Sequence, residues 1–327
     1  MERFALNSAE VSRIGLGTWA IGGSEWGEVS DGDAIATCLA IFEHGINLID
    51  TAPIYGYGRA EQLVGRAMRQ HGHRESFYIA TKAGLEWNER GVFANSDPMR
   101  LRTEFEDSLR RLDTEYVDLY QIHWPDTTIP VERAAEVLLG LYEEEKIRAI
   151  GVSNFSAAQM EAFRSVGPLH SNQPPYNLFE RAIDDDVLPY CREHGIAVLT
   201  YSSLCRSLLA GRMTVDMKFA EGDIRRVDPK FQPPRFAQYL QAVDRLKEFA
   251  RERYGKTVLE LAARWVLDRP GVSAALWGAK RPEQLNAVEG IFGWQLDAAA
   301  MVEMDGIVRE TVTDPVGPEY LTPEVRE

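Results

Sequence analysis

Short apolar runs alternate with stretches whose apolar residues recur every three or four positions, and this rhythm occupies most of the 327-residue chain. Residues 4–14 hold two strand-like pieces about Asn7-Ser8, which predicts a hairpin, and Ile14-Gly-Leu-Gly-Thr begins a buried strand. The rhythm then predicts helix 31–44, strand 46–50, helix 59–70, strand 77–82, helix 98–112, strand 117–123 and helix 131–145. It continues with strand 147–153, helix 156–163, strand 170–174, helix 183–194, strand 196–202, helices 235–253 and 257–268, strand 272–277 and helix 281–290.

Each of the eight strands is too uniformly apolar to keep a wet face, which calls for a parallel sheet covered by helices. Eight repeats favour closure into a barrel, with an open doubly wound sheet as the other arrangement the pattern allows. No interdomain linker or low-complexity segment interrupts the chain, so residues 1–327 are expected to form a single barrel-type domain. The proline-rich piece Asp228-Pro-Lys-Phe-Gln-Pro-Pro-Arg belongs to a long functional loop, and the tail beyond Asp314, with three prolines, is expected to run extended over the surface.

Composition narrows the function. With 45% hydrophobic residues the chain can bury a large core, and no run of about 18 apolar residues suggests a membrane span. The N-terminus lacks a signal-peptide pattern, so a cytoplasmic location is the default expectation. A net charge of −14 opposes nucleic-acid binding, and an anionic ligand would need a locally basic pocket. Cys38, Cys191 and Cys205 are too scattered for a disulfide framework or a zinc site and are expected to be reduced thiols.

In a barrel of this kind, ligands collect at the C-terminal ends of the strands. Asp50, Lys82, His123, Ser153-Asn154, Gln173 and Tyr201-Ser202 all fall at or just past predicted strand ends. Alone, each has a plain structural explanation: a capping Asp, a solvated Lys, a core His. Polar residues recurring at one position in successive units are hard to explain by packing. Together with Tyr55 in the loop after Asp50, they have the types needed for carbonyl reduction, in which hydride reaches carbon and a proton must reach oxygen. A free phenol, with a pKa near 10, is a reluctant donor. Lys82 beside it would lower that value, Asp50 would orient the lysine, and His123 would hold the substrate oxygen.

Gly15-Leu-Gly-Thr-Trp, Leu48-Ile-Asp-Thr-Ala-Pro-Ile-Tyr-Gly, Ala80-Thr-Lys, Tyr120-Gln-Ile-His-Trp-Pro, Gly151-Val-Ser-Asn-Phe, Tyr201-Ser and Gly278-Ala-Lys-Arg-Pro-Glu-Gln-Leu together resemble the aldo-keto reductase superfamily. The resemblance covers about residues 3–290 and is closest to bacterial members with Tyr-Ser-Ser-Leu-Cys-Arg after the seventh strand. It implies an α/β fold, a (β/α)8 TIM barrel with an N-terminal hairpin and a C-terminal helix and tail. The implied enzyme is an NADP(H)-dependent oxidoreductase of small aldehydes or ketones, needing no metal, with Tyr55 as general acid and Lys82, Asp50 and His123 as its partners. Ser153, Asn154 and Gln173, with Asp50, match positions at the nicotinamide amide. Tyr201 matches the residue stacking on its ring, and Thr18 and Trp19 lie beside it.

By the same resemblance, Ser202, Ser203, Leu204, Cys205 and Arg206 form the loop over the pyrophosphate, where Arg206 would supply positive field. Gly278, Ala279, Lys280 and Gln284 match the adenosine and 2′-phosphate site at a helix N-terminus, where Lys280 and Arg281 argue for NADP over NAD. Ser203, Cys205 and Ser207 stand where many members have Pro, Ala and Gly, and Gln284 replaces an adenine-stacking Arg. Trp19, Trp26, Trp87 and Trp124 are candidates for a substrate cleft that holds its ligand by shape. The loop at about residues 211–236, with Arg225 and Arg226, is expected to close over cofactor or substrate.

Gly15-x-Gly-x-x-Ala does not open a helix and is set aside as a dinucleotide fingerprint, and His71-Gly-His is expected to be structural. Two other classes remain to be weighed: an NADPH-binding redox-sensing regulatory subunit with slow turnover, and a metal-dependent hydrolase using Asp50 and His123. The second lacks further strand-end ligands.

Overall fold

The computed structural model describes residues 1–23 and 25–326. An antiparallel hairpin comes first, β1 (Arg3–Leu6) with β2 (Ala9–Ser12), turning at Asn7 in the left-handed region. There follow β3 (Ile14–Gly17), α1 (Trp19–Gly22), α2 (Asp31–Ala40), β4 (Leu48–Asp50), α3 (Arg59–His71) and β5 (Tyr78–Ala83). A second hairpin, β6 (Leu85–Asn88) with β7 (Gly91–Ala94), precedes α4 (Pro98–Leu112), β8 (Leu119–Ile122), α5 (Val131–Glu143), β9 (Ile150–Ser153) and α6 (Ala157–Arg164). The chain continues through β10 (Ser171–Gln173), α7 (Val187–Glu193), β11 (Ala197–Thr200), α8 (Arg235–Tyr254), α9 (Val258–Asp268), β12 (Val272–Gly278) and α10 (Ala298–Thr311).

Strands β3, β4, β5, β8, β9, β10, β11 and β12 pair in parallel, and β12 closes on β3 through Ala275↔Ile14 to Gly278↔Gly17. This is the (β/α)8 barrel. Along each strand the side chains alternate between two apolar environments. Ile14, Leu16, Ile49, Ile79, Tyr120, Ile122, Ile150 and Val152 join the shell between barrel and helices. Leu48, Tyr78, Ala80, Leu119, Ala149, Leu199, Ala274 and Leu276 fill the barrel interior. Leu6 and Val11 of the first hairpin join that inner cluster, whose members Leu48, Tyr78 and Leu119 start their strands, so the hairpin plugs the N-terminal end. The opposite end is left open for a site.

Local signals explain most helix bounds. Asp97 accepts from the backbone N–H groups of Met99 and Arg100 with Pro98 in the first turn, and capping boxes at Ser156/Gln159 and Thr257/Glu260 start α6 and α9. Several expectations need correction. The helix predicted over 31–44 ends at Ala40 and tightens into a 3-10 turn, Ile41–His44, closed by left-handed Gly45. That predicted over 183–194 begins only at Val187. The stretch predicted as helix 281–290 is 3-10 over Pro282–Ile291. The hairpin β6–β7 is absent from the sequence reading, because Leu-Glu-Trp-Asn and Gly-Val-Phe-Ala alternate too weakly to announce strands. Among the described residues, no helix is long and apolar enough to cross a membrane.

Candidate active site at the barrel mouth

The inward-facing alternation that fills the barrel with Leu48, Ala80 and Leu119 places Asp50, Lys82 and Gln121 two residues further along the same strands. Polar groups therefore replace the apolar filling at the C-terminal end. Lys82 is fully buried, and its Nζ donates to Asp50 Oδ1 at 2.6 Å, to the Thr51 carbonyl at 3.0 Å and to the Tyr55 hydroxyl at 3.2 Å. Gln173 Nε2 donates to the other Asp50 oxygen at 2.7 Å. Asp50 is thereby held from two sides, and Lys82 from three.

Tyr55 reaches this pair from the loop after β4, and two glycines let it. Gly56 has φ +62°, and a Cβ there would lie 2.3 Å from the Gly22 carbonyl oxygen. A Cβ on Gly22 would lie 2.6 Å from the Tyr55 carbonyl carbon. The two backbones touch because neither residue has a side chain. Trp19, at the head of α1, stacks along Tyr55 with ring centres 6.2 Å apart, and His123 meets it edge-on at 5.8 Å.

The electrostatics differ from expectation in one respect. Lys82 was expected to lower the Tyr55 pKa; instead burial, then the Asp50 charge, push the phenol well above its ordinary value, so it stays protonated at neutral pH. Burial, with Lys82 second, pushes the His123 imidazolium well below its ordinary value, so this ring is neutral. Burial also lowers Lys82, against the opposing pull of Asp50. A protonated phenol and a neutral imidazole facing one space can both hydrogen-bond an incoming carbonyl oxygen.

That space is a cavity of about 510 Å3 running from Leu85 and Trp124 past Tyr55 to Gln284. Of the expected site residues, Trp19, Asp50, Tyr55, His123, Ser153, Asn154, Gln173, Tyr201, Ser202, Ser203, Leu204, Arg206, Gly278, Ala279, Lys280 and Gln284 line it, as do Trp26 and Trp124. Ser153 Oγ donates to the Gln173 carbonyl, Asn154 Nδ2 to the His123 carbonyl, and the Tyr201 hydroxyl to Asn154 Oδ1. These strand-end groups thus brace one another.

Four expected residues stand outside the lining. Thr18 is buried behind it, its hydroxyl donating to the Asp50 carbonyl at 2.9 Å. Lys82 acts from beneath Tyr55. Cys205 is fully buried and burial pushes its thiol up, so it is no exposed thiolate. Trp87 sits on the β6–β7 hairpin against exposed Tyr57 rather than in the cleft.

Two further expectations change in detail. Arg206 is not a free positive charge: Nη1 donates to Glu180 Oε1 at 2.6 Å, and Nε lies 3.4 Å from Asp228 Oδ2. Lys230 Nζ joins the same carboxylates, 2.8 Å from Glu180 Oε1. Two cations and two carboxylates balance, because a lone buried charge is too costly to keep. Gln284 Oε1 accepts from the backbone N–H groups of Lys280 and Arg281, so the turn expected to offer bare amides to an anion is partly capped by its own side chain. The basic character expected there is supplied by side chains. Arg225 lines the same cavity as Lys280, and Lys280 Nζ donates to the Trp26 carbonyl.

Sequence reasoning missed the other wall. Leu321, Thr322, Pro323 and Glu324 of the tail line the cavity, so the tail is part of the site and not a surface strap. It is pinned by Lys230 Nζ to the Gly317 carbonyl at 3.0 Å, Tyr320 hydroxyl to Asp228 Oδ2 at 3.0 Å and Glu324 N–H to the Val92 carbonyl at 3.1 Å. Glu25, Ile54, Leu85 and Val92 also line the cavity unforeseen. No pattern in the sequence marks them, since each depends on which loop crosses which.

Comparison with known proteins agrees with this geometry. The chain is 51% identical over 318 residues to aldo-keto reductase YhdN of Bacillus subtilis (strain 168), covering 97% of this chain and 96% of that protein. It is 35% identical over 326 residues to the NADH-specific methylglyoxal reductase of Escherichia coli (strain K12), covering 93% and 98%. Among solved structures it resembles the glycerol dehydrogenase AKR11B4 from Gluconobacter oxydans, with a TM-score of 0.86, 48% identity and 95% of each chain covered. Residues 13–309 match the Aldo/keto reductase family, and the chain belongs to that family.

Proposed function

We propose that the protein is an NADP(H)-dependent reductase of small aldehydes or ketones, acting reversibly, with Tyr55 as the proton donor. The observation that carries the reading is the buried contact of Lys82 Nζ with both Asp50 and the Tyr55 hydroxyl, directly under a cavity that Tyr55 and His123 face. When bound, the nicotinamide supplies hydride to the carbonyl carbon. Tyr55 gives its hydroxyl proton to the carbonyl oxygen. Lys82 then faces the new phenolate across their hydrogen bond and stabilises it, while Asp50 and Gln173 keep the ammonium in place. His123, neutral, donates a hydrogen bond that aims the oxygen at Tyr55.

The chain's residues fit a dinucleotide. Ser202, Cys205, Arg206 and Ser207 all have positive φ, and the Cys205 N–H donates to the Ser202 carbonyl at 2.7 Å, so the loop turns tightly where Ser202, Ser203, Leu204, Arg206 and Ser207 line the cavity. Arg206 Nε and Nη2 are buried donors without a hydrogen-bond partner. Ser153, Asn154, Gln173 and Tyr201 would hold the nicotinamide end, and Gly278, Ala279 and Gln284 the adenosine. The Escherichia coli relative is named NADH-specific. Preference for NADP here rests on this chain's own Lys280, which lines the cavity, with Arg281 next to it in the chain; Arg225 also lines the cavity, but its charge is answered by Asp223. The relatives named for methylglyoxal and glycerol point to small oxygenated substrates.

The test follows NADPH absorbance with a panel of small aldehydes, and compares Lys280→Met with wild type for NADPH and NADH binding. Turnover of the panel, with the variant raising the NADPH Kd much more than the NADH Kd, is expected. Absence of turnover would reject the reductase reading, and equal effects on the two cofactors would reject the phosphate role.

A further inference from the structure

Three carboxylates line the cavity: Asp50, Glu25 and Glu324. Asp50 is committed to Lys82 and Gln173. Glu25 is not committed in this way. Its Oε2 accepts from Trp19 Nε1, while Oε1 has no donor and no cation pairs with the group among the described residues. It stands in the wall formed by Trp19, Trp26 and Tyr55, near enough to the reaction centre that its charge adds to the upward push on the Tyr55 phenol. A half-buried carboxylate against an aromatic wall is costly to keep, and its open acceptor, met by solvent before a ligand binds, must find a donor on the ligand once a bound substrate displaces that solvent.

We propose that Glu25 is a specificity-determining residue: its open Oε1 accepts a hydrogen bond from a hydroxyl group carried by the carbonyl substrate, so the enzyme selects hydroxyaldehydes and hydroxyketones and rejects substrates bearing a carboxylate. This rests on the reductase reading above. One open acceptor suits a hydroxyl, which has one proton to give, better than an ammonium, which has three. The Trp19 bond fixes the carboxylate, so the substrate hydroxyl is met by a group already in place. A site built to bond a hydroxyl discriminates by leaving its own polar group unpaired when the hydroxyl is missing.

The experiment measures kcat and KM for glyceraldehyde, propanal and succinic semialdehyde with wild type, Glu25→Leu and Glu25→Gln. Glu25→Leu should lower the ratio of glyceraldehyde to propanal kcat/KM by about tenfold or more, mainly through the glyceraldehyde KM. In Glu25→Gln the amide oxygen keeps the bond from Trp19 Nε1 and the amide NH2 faces the substrate, where a hydroxyl oxygen can accept from it, while the charge is lost. This variant should hold that ratio within a few-fold and raise kcat/KM for the anionic semialdehyde by about tenfold. Equal losses on glyceraldehyde and propanal would mean that Glu25 only steadies Trp19, and would overturn the proposal. So would a wild-type preference for an amino-aldehyde over glyceraldehyde. Wild type inactive on both glyceraldehyde and propanal would overturn the reductase reading itself; activity on both with an unchanged ratio in Glu25→Leu would overturn this subsite alone.

Discussion

Lys82 Nζ lies 2.6 Å from Asp50 Oδ1, and both side chains are almost wholly withdrawn from solvent. Such a pair is held by its partners and not by attraction alone. Replacing Lys82 with Met strands a buried carboxylate and should cost about 3–5 kcal/mol of stability along with activity. The double variant Lys82→Met/Asp50→Asn should recover much of the stability and none of the turnover. Urea melts beside steady-state rates separate the two roles.

The opposed shifts of Tyr55 and His123 predict a plateau. The phenol remains protonated beyond its ordinary 10.0, and the imidazole remains neutral below its ordinary 6.5, so the reduction rate should show no limb from either group between pH 6.5 and 10. The consequence for folding has a definite sign. Below pH 6.5 the unfolded chain takes up a proton at His123 that the folded chain refuses, so stability falls with pH there. Comparing urea midpoints of wild type and His123→Asn at descending pH isolates that contribution, which the variant should lack.

Gly56 and Gly22 set the height of Tyr55 above Lys82. In Gly56→Ala the new methyl meets the Gly22 carbonyl oxygen at 2.3 Å on a left-handed backbone. A loss of about 1–3 kcal/mol is expected, with a fall in kcat larger than for an equally destabilising change elsewhere. A conservative substitution in α8, far from the mouth, supplies the control.

The tail predicts a binding effect without a chemical one. Tyr320→Phe removes the hydroxyl that bonds Asp228 Oδ2, so the segment carrying Leu321 to Glu324 loses one of its ties. Substrate KM should rise several-fold while kcat holds, and limited proteolysis should cut the tail sooner.

The barrel was legible because its signal is carried by spacing. Apolar runs such as Leu48-Ile49 and Leu119-Tyr120 marked strands directly, and the position of a polar residue at each strand end did the same for Asp50, Lys82 and Gln173. Those side chains are aimed by the twofold alternation of a strand, which sequence displays. Glu25, Leu85 and the tail residues 321–324 reach the same cavity by long-range loop contacts such as Glu324 with Val92, which no local pattern records. Arg206 shows a third case. Its place in the loop was readable, but its charge is answered by Glu180, 26 residues away, so the free cation expected from the motif is a buried partner.

The central claim is that Tyr55 supplies the proton. Single-turnover reduction of a small aldehyde by cofactor-loaded Tyr55→Phe tests it, with NADPH affinity and thermal melting measured alongside. A fall in the chemical step of about 10²–10⁴-fold, with affinity and melting near wild type, is predicted. An unchanged rate of cofactor oxidation in the variant would contradict the account.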